Sequence, residues 1–226
     1  MLVLERLNVH IDAMHVLRDV TFGVEPGSTV ALIGRNGAGK TTTLRSVMGL
    51  IAKSSGTISF AGIDMDDVPP PHRPALGIGY APEDRRLFSS FNVEENILLP
   101  ARVARADGAE MTRQLERVYE TVPELKELRH RPAGSVSGGQ GKMVALGRAL
   151  MIGTRLVLLD EPFQGLAPAL ARRYGDALRR LRERERGLSL VITESNPALL
   201  TGLADTTFLI DRGEVAPAET VPDHAG

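Results

Sequence analysis

Hydrophobic and polar positions alternate from Leu2 to Val9 and again from Val16 to Val24, the period of strands that bury one face. Pro26-Gly27 marks a turn. Thr29-Val30-Ala31-Leu32-Ile33 then runs apolar without alternation, as a parallel strand covered on both faces does. From Thr42 to Leu50 the spacing turns helical. Ser54-Ser55-Gly56 interrupts it, Thr57 to Phe60 predicts a short strand, and Ala61 to Asp64 a turn. Pro69-Pro70-Pro71 is a stiff connector, and Leu76 to Tyr80 a further core strand ending at Pro82.

Between Pro82 and Met151 the pattern becomes helical. Val93 to Val103 and Met111 to Val122 carry apolar residues at helical spacing, separated by Asp107-Gly108. Gly134 to Gln140 is a predicted loop and Gly141 to Met151 a helix. Leu156 to Leu159 returns as a buried strand, followed by a charged helix from Ala169 to Arg186. Strands follow at Leu188 to Thr193 and Thr207 to Ile210. From Glu214 onward the chain is Pro- and Ala-rich without an apolar period, which predicts a fraying end. No internal repeat is visible.

Bulk composition narrows the classes. At 226 residues the chain can bury a sizeable core as one domain with a small subdomain. A net charge of −1 gives no global drive toward nucleic acid or anionic lipid. Arg179, Arg180, Arg182, Arg184 and Arg186 alternate with Glu183 and Glu185, which describes a solvated helix face. With no cysteine there is no disulfide framework and no thiolate nucleophile or ligand. No apolar run approaches the roughly 18 residues of a membrane span, and no signal peptide opens the chain. A cytosolic protein is expected, at a membrane only if a partner holds it there.

The chemistry concentrates in Gly34-Arg35-Asn36-Gly37-Ala38-Gly39-Lys40-Thr41-Thr42, a glycine, four residues, then Gly-Lys-Thr. Lying between a buried strand and a helix, it has the setting a phosphate-binding loop needs. Its amides and the helix N-terminus attract phosphate oxygens. Lys40 reaches the β- and γ-phosphates, and the Thr41 hydroxyl serves Mg²⁺. Asp160-Glu161 ends the strand of Leu156 to Leu159, at the sheet edge where ligands of parallel sheets collect. Asp160 can hold Mg²⁺ together with Thr41, while Glu161 is placed to polarise a water aimed at the γ-phosphate. These residues predict a nucleoside triphosphatase.

Val136-Ser137-Gly138-Gly139-Gln140, about twenty residues before Asp160, resembles the signature loop of the ABC ATPases, with Val136 at the usual Leu position. The resemblance runs from Leu2 to Val215. It implies an α/β, ABC-type P-loop NTPase: a RecA-like mixed sheet core with N-terminal antiparallel strands and a helical subdomain. Residues 1–81 would be the first part of the ATP-binding core, 82–151 the helical subdomain, 152–215 the second part, and 216–226 a flexible tail. In that family Ser137, Gly138, Gly139 and Gln140 cradle the nucleotide of a second ATPase subunit, like or unlike, so that two chains sandwich two ATP.

Within the family the chain looks similar to the shorter ATPase of branched-chain amino acid importers and of relatives that take up urea, amides and aromatic acids. The residues that carry this are Pro82 to Phe88, Val93-Glu94-Glu95-Asn96, Gly147 to Met151 and Gly165-Leu166-Ala167-Pro168. The likeness implies membrane permeases docking near residues 82–92, indirectly a solute-binding protein, and a place on the cytoplasmic face of the inner membrane. Nucleic acid is not an expected partner. No Asn-Lys-x-Asp guanine-reading motif points to a GTPase, and no coiled-coil insert or tandem cassette points to a soluble ABC protein.

Four departures stand out. Ile11 occupies the place of an adenine-stacking aromatic, with His10 beside it as a partial substitute. Glu83 replaces a Gln and can still reach Mg²⁺ or its waters. Gly141 follows the signature and weakens the helix start by up to about 1 kcal/mol. Ser195 stands where the switch histidine sits, and its short uncharged hydroxyl leaves two expectations open. One is slow turnover in a chain paired with a second, more complete ATPase; the other is a polar substitute that the branched-chain group tolerates.

Overall fold

A computed structural model describes residues 1–218. The N-terminal alternation becomes a hairpin of β1 (Leu2–Ile11) and β2 (Met14–Val24). β4 (Ser55–Phe60) and β5 (Ile63–Asp64) extend it into an antiparallel sheet of order β2-β1-β4-β5. A register irregularity between Leu4 and Leu7 keeps Leu2, Leu4, Leu7 and Val9 all buried on one face. Without that bulge, Leu7 and Val9 would face solvent.

The second sheet holds β3 (Thr29–Ile33), β6 (Ile78–Ala81), β7 (Leu156–Asp160), β8 (Ser189–Glu194), β9 (Thr206–Asp211) and β10 (Glu214–Pro217). Its order is β10-β9-β3-β8-β7-β6, and every pairing except β9–β10 is parallel. The period of two in each central strand divides the apolar side chains between two cores. Val30, Leu32, Leu156, Leu158 and Val191 pack with the antiparallel sheet and α1 (Lys40–Val47). Ala31, Val157, Leu159, Leu190 and Ile192 face α2 (Val93–Val103), α3 (Gly108–Thr121), α5 (Gly138–Leu150) and α6 (Pro168–Arg184). Burial on both faces explains why these strands read as unbroken apolar runs.

Several boundaries differ from the sequence-based expectation. Glu214–Pro217 does not fray: it forms β10, pairing Val215 with Ile210 and Ala216 with Leu209. Edge pairing through the backbone needs no apolar period, so composition concealed it. The tail expectation for residues 219–226 lies outside the described residues. Ile63–Asp64, expected as a turn, adds a two-residue strand to β4. The α5 helix begins at Gly138, not Gly141, because Ser137 caps it. A short α4 (Glu124–Leu128) precedes it, an element the sequence did not reveal. The arginines of α6 make specific bonds: Arg180 to Thr121 O, Arg182 to Leu203 O and Asp205, and Arg184 to Glu120.

Candidate active site

The C-terminal ends of β3, β7 and β8 lie side by side, and each delivers part of the site. The loop after β3 leads into α1, whose N-cap Gly39 has φ 117° and no side-chain cap. The first-turn amides are therefore open to an anion. Gly34 passes so close to β9 that an added Cβ would lie 2.2 Å from Ile210 O. A side chain there would push the loop out of place. The cleft this loop borders encloses about 450 Å³ and is lined by Val16, Asn36, Gly37, Gly39, Lys40, Thr41, Thr42, Glu83, Glu161 and Gln164.

Lys40 folds back on its own loop. Its Nζ donates to Gly34 O at 2.5 Å and to Arg35 O at 3.0 Å, and lies 2.9 Å from Glu161 Oε1. Glu161 Oε1 also accepts the Ser195 hydroxyl at 2.7 Å, and Oε2 the Ser195 amide at 3.2 Å. Ser195 Oγ further lies 2.8 Å from Asn36 Oδ1 and 3.2 Å from Lys40 Nζ. Burial works against the charge of Glu161, but the Ser195 hydroxyl and the Lys40 ammonium outweigh it and hold the carboxyl below its ordinary value. Glu161 is thus a carboxylate at neutral pH. Behind it Glu194 accepts the Phe163 amide at 2.8 Å, and burial, with Glu161 nearby, pushes its pKa up to about 7.

Asp160 is oriented by three hydroxyls. Thr41 Oγ1 and Thr193 Oγ1 each lie 3.0 Å from Oδ1, and the Tyr80 hydroxyl donates to Oδ2 at 3.1 Å. A threonine hydroxyl beside a fixed carboxylate, with the exposed Glu83 on the same cleft, is a hard oxygen donor set. Mg²⁺ takes few protein ligands of this kind and fills its shell with phosphate oxygens and water. The residues fit that ion.

A family model described as "ABC transporter" matches residues 17–164, which span the phosphate loop, the Ser-Gly-Gly-Gln turn and Asp160-Glu161. The chain belongs to the ABC transporter family. Among similar proteins, a high-affinity branched-chain amino acid transport ATP-binding protein, BraG of Pseudomonas aeruginosa, is 34% identical over 97% of this chain and 93% of its own length. A probable branched-chain amino acid transport ATP-binding protein, LivF of Archaeoglobus fulgidus, is 32% identical over 93% of this chain and 88% of its own. A lipopolysaccharide export ATP-binding protein, LptB of Acidithiobacillus ferridurans, is also 32% identical, over 92% of this chain and 87% of its own.

A solved ATP-binding subunit of an ABC transporter superposes with TM-score 0.84 at 30% identity, covering 97% of this chain and 90% of that one. A dimeric cassette in a post-hydrolysis state with ADP and Pi shares the fold, with TM-score 0.85 at 20% identity over 97% of this chain and 98% of that one. The chain is thus an ATP-binding subunit with the ATPase chemistry of its family, which works alongside membrane permease components. Among the described residues no helix is long and apolar enough to cross a membrane.

The ABC fold gathers most of the expected site residues and leaves two groups apart. Ser137, Gly138, Gly139 and Gln140 do not line the phosphate-loop cleft. Instead Ser137 and Gln140 cap α5 reciprocally, Gln140 N to Ser137 Oγ at 3.2 Å and Ser137 N to Gln140 Oε1 at 2.9 Å. Ile11, 41% exposed at the hairpin tip opposite Met14, does not line the cleft either. Nor does His10 stand in for an aromatic there. Its ring stacks on His15 at 4.2 Å and bonds Ser54, committed to the hairpin itself. The aliphatic wall comes from Val16, which sequence reasoning passed over because nothing marks one strand valine from the next. Gln164, Tyr80, Thr193 and Glu194 were also missed. Each earns a role only through the neighbour it touches.

Proposed function

We propose that this chain is the ATP-hydrolysing subunit of an ABC importer that takes up branched-chain amino acids or a related small solute through partner permeases. The hydrolytic part rests on one observation, the contact of Glu161 with both Lys40 and Ser195 beside the phosphate loop. The importer part rests on the likeness to BraG and LivF over nearly the full chain. The similar identity to an export ATPase supports a second reading in which the transport direction is outward.

The roles divide by chemistry. Loop amides from Gly37 to Thr42 and the α1 N-terminus receive the β- and γ-phosphates. Lys40 exchanges Glu161 for phosphate oxygens as ATP enters. Glu161, left ionised, takes a proton from the water whose oxygen bonds to the γ-phosphorus as the bridging bond to ADP breaks, and the Ser195 hydroxyl keeps that carboxylate aimed. Thr41 and Asp160, with Glu83, would hold Mg²⁺, which when bound supplies charge neutralisation across the phosphates. Ser137 to Gln140 cradle the nucleotide of a second ATPase subunit, which explains their distance from this chain's own cleft. Residues 82–92 with the exposed Phe88 face a permease, residues 82–151 move as the helical part, and the assembly sits on the cytoplasmic face of the membrane.

Light scattering on Glu161→Gln with Mg-free ATP tests the shared site: the expected change is from monomer to dimer. Persistent monomer, alone and with a co-expressed second ATPase chain, rejects the sandwich. Cells carrying Lys40→Ala and assayed for labelled leucine, urea and benzoate uptake test the importer. Undiminished uptake of all three, with altered lipopolysaccharide export, would favour the outward reading.

A further inference from the structure

The Glu161 backbone has φ 47°, a left-handed conformation uncommon for non-glycine residues, and here its surroundings hold it from several sides. Its amide is held by Thr193, donating to the backbone carbonyl at 3.2 Å and to Oγ1 at 3.1 Å. Its carboxylate is held by Lys40 and Ser195. Its carbonyl accepts the Gln164 amide at 3.2 Å and, in addition, the ammonium of Lys142. Of these partners only Lys142 belongs to the helical segment, one turn into α5 after the Ser137 cap.

Lys142 sits half-buried on a second cleft, bordered by Glu83, Gln164 and Gly165. Burial depresses the ammonium's pKa, while the carboxyls of Glu194, Glu83 and Glu161 favour its charge. Gly141 beside it allows the Arg85 side chain to cross α5, since an added Cβ would lie 3.2 Å from Arg85 Cδ. The α5 helix therefore packs against the 82–92 segment on one side and reaches the Glu161 carbonyl on the other.

We propose that Lys142 is a positioning residue for hydrolysis: by holding the Glu161 carbonyl from α5, it ties the aim of the catalytic carboxylate to the placement of the helical segment. The proposal rests on Glu161 being the carboxylate that activates water. Once ATP draws Lys40 away, the bonds from Thr193, Ser195, Gln164 and Lys142 remain to hold Glu161. The Lys142 contact is the one that a shift of the helical segment would break.

The test is steady-state ATPase kinetics on the full-length chain in its dimeric assembly, with thermal melting to confirm folding. Lys142→Met should lower kcat about tenfold or more with KM for ATP changed less than about twofold. Lys142→Arg should recover most of that loss, because a guanidinium can still donate to the carbonyl. In a Glu161→Gln background the residual rate should be insensitive to Lys142→Met, since a positioning residue has nothing left to aim. Independent, multiplicative losses in the double variant overturn the proposal, as does a KM effect alone or an Arg variant as poor as Met. A wild-type rate in Glu161→Gln alone removes the catalytic reading itself, a separate outcome that takes this proposal with it.

Discussion

Lys40 Nζ and Glu161 Oε1 stand 2.9 Å apart, both side chains 5% exposed, so the cation proposed to bind phosphate and the carboxylate proposed to activate water are paired with each other. On that proposal ATP breaks this pair. Glu161→Gln removes the competing charge, so ATP should bind about three- to tenfold tighter while hydrolysis falls about 100-fold or more. Equilibrium binding of a fluorescent ATP analogue beside a phosphate-release assay measures both. Weaker binding in Glu161→Gln would mean that the pair does not hold Lys40 back.

Ser195 Oγ lies within hydrogen-bonding reach of Glu161, Asn36 and Lys40 at once, which a methyl cannot reproduce. Ser195→Ala should cost about 1–2 kcal/mol of transition-state stabilisation, seen as a drop in kcat. The hydroxyl is too short to span to a γ-phosphate as an imidazole does. The native chain alone should therefore turn over well below about 10 s⁻¹, and Ser195→His should raise that rate. A native homodimer already turning over tens of ATP per second would contradict this.

Tyr80 donates to Asp160 Oδ2 at 3.1 Å. Burial and then the charge of Asp160 raise its phenol well above the ordinary value, so it stays a donor at any working pH. Tyr80→Phe should leave the fold intact and weaken Mg²⁺-dependent ATP binding about tenfold, since partners of metal-holding groups act on that scale. Titrating Mg²⁺ into the ATP-bound chain by calorimetry gives the number. An unchanged affinity would show that Thr41 and Thr193 orient Asp160 without help.

Glu194 is 2% exposed, and its pKa is raised from 4.5 to about 7. Between those values the native state holds a proton that the unfolded chain has released, so stability falls as pH rises through this window. Glu194→Gln keeps an oxygen for the Phe163 amide and removes the charge. It should leave the melting temperature near wild type at pH 4.5. At pH 8 it should gain up to about 3 kcal/mol, since each pH unit between the unfolded and native pKa contributes about 1.4 kcal/mol. Parallel melting curves for both proteins across pH 4.5–8 would refute the assignment.

Much of the site was legible because phosphate binding uses local sequence. The loop from Gly34 to Thr42, the acids Asp160 and Glu161 at a strand end, and Ser195 in the place of a histidine are each recognisable within a few residues. Most strands and helices were also legible, either from a periodic apolar pattern or, in β3, β7 and β8, from an unbroken apolar run. Glu214–Pro217 escaped because its pairing with β9 runs through backbone groups, which composition does not encode. The early start of α5 escaped because two glycines conceal a helix that the Ser137–Gln140 capping box nucleates.

Residue types at short spacing were therefore enough to determine the family and to point to the phosphate loop and the acids of the candidate site. Which side chains meet was settled by the three-dimensional fold alone. It paired Lys40 with Glu161, set Tyr80 and Thr193 on Asp160, and put Val16 in place of Ile11 on the cleft. It also brought Lys142 from α5 onto the carbonyl of Glu161. These contacts join strands and helices distant in sequence, and their geometry follows from sheet order and packing, which no short window of residues records.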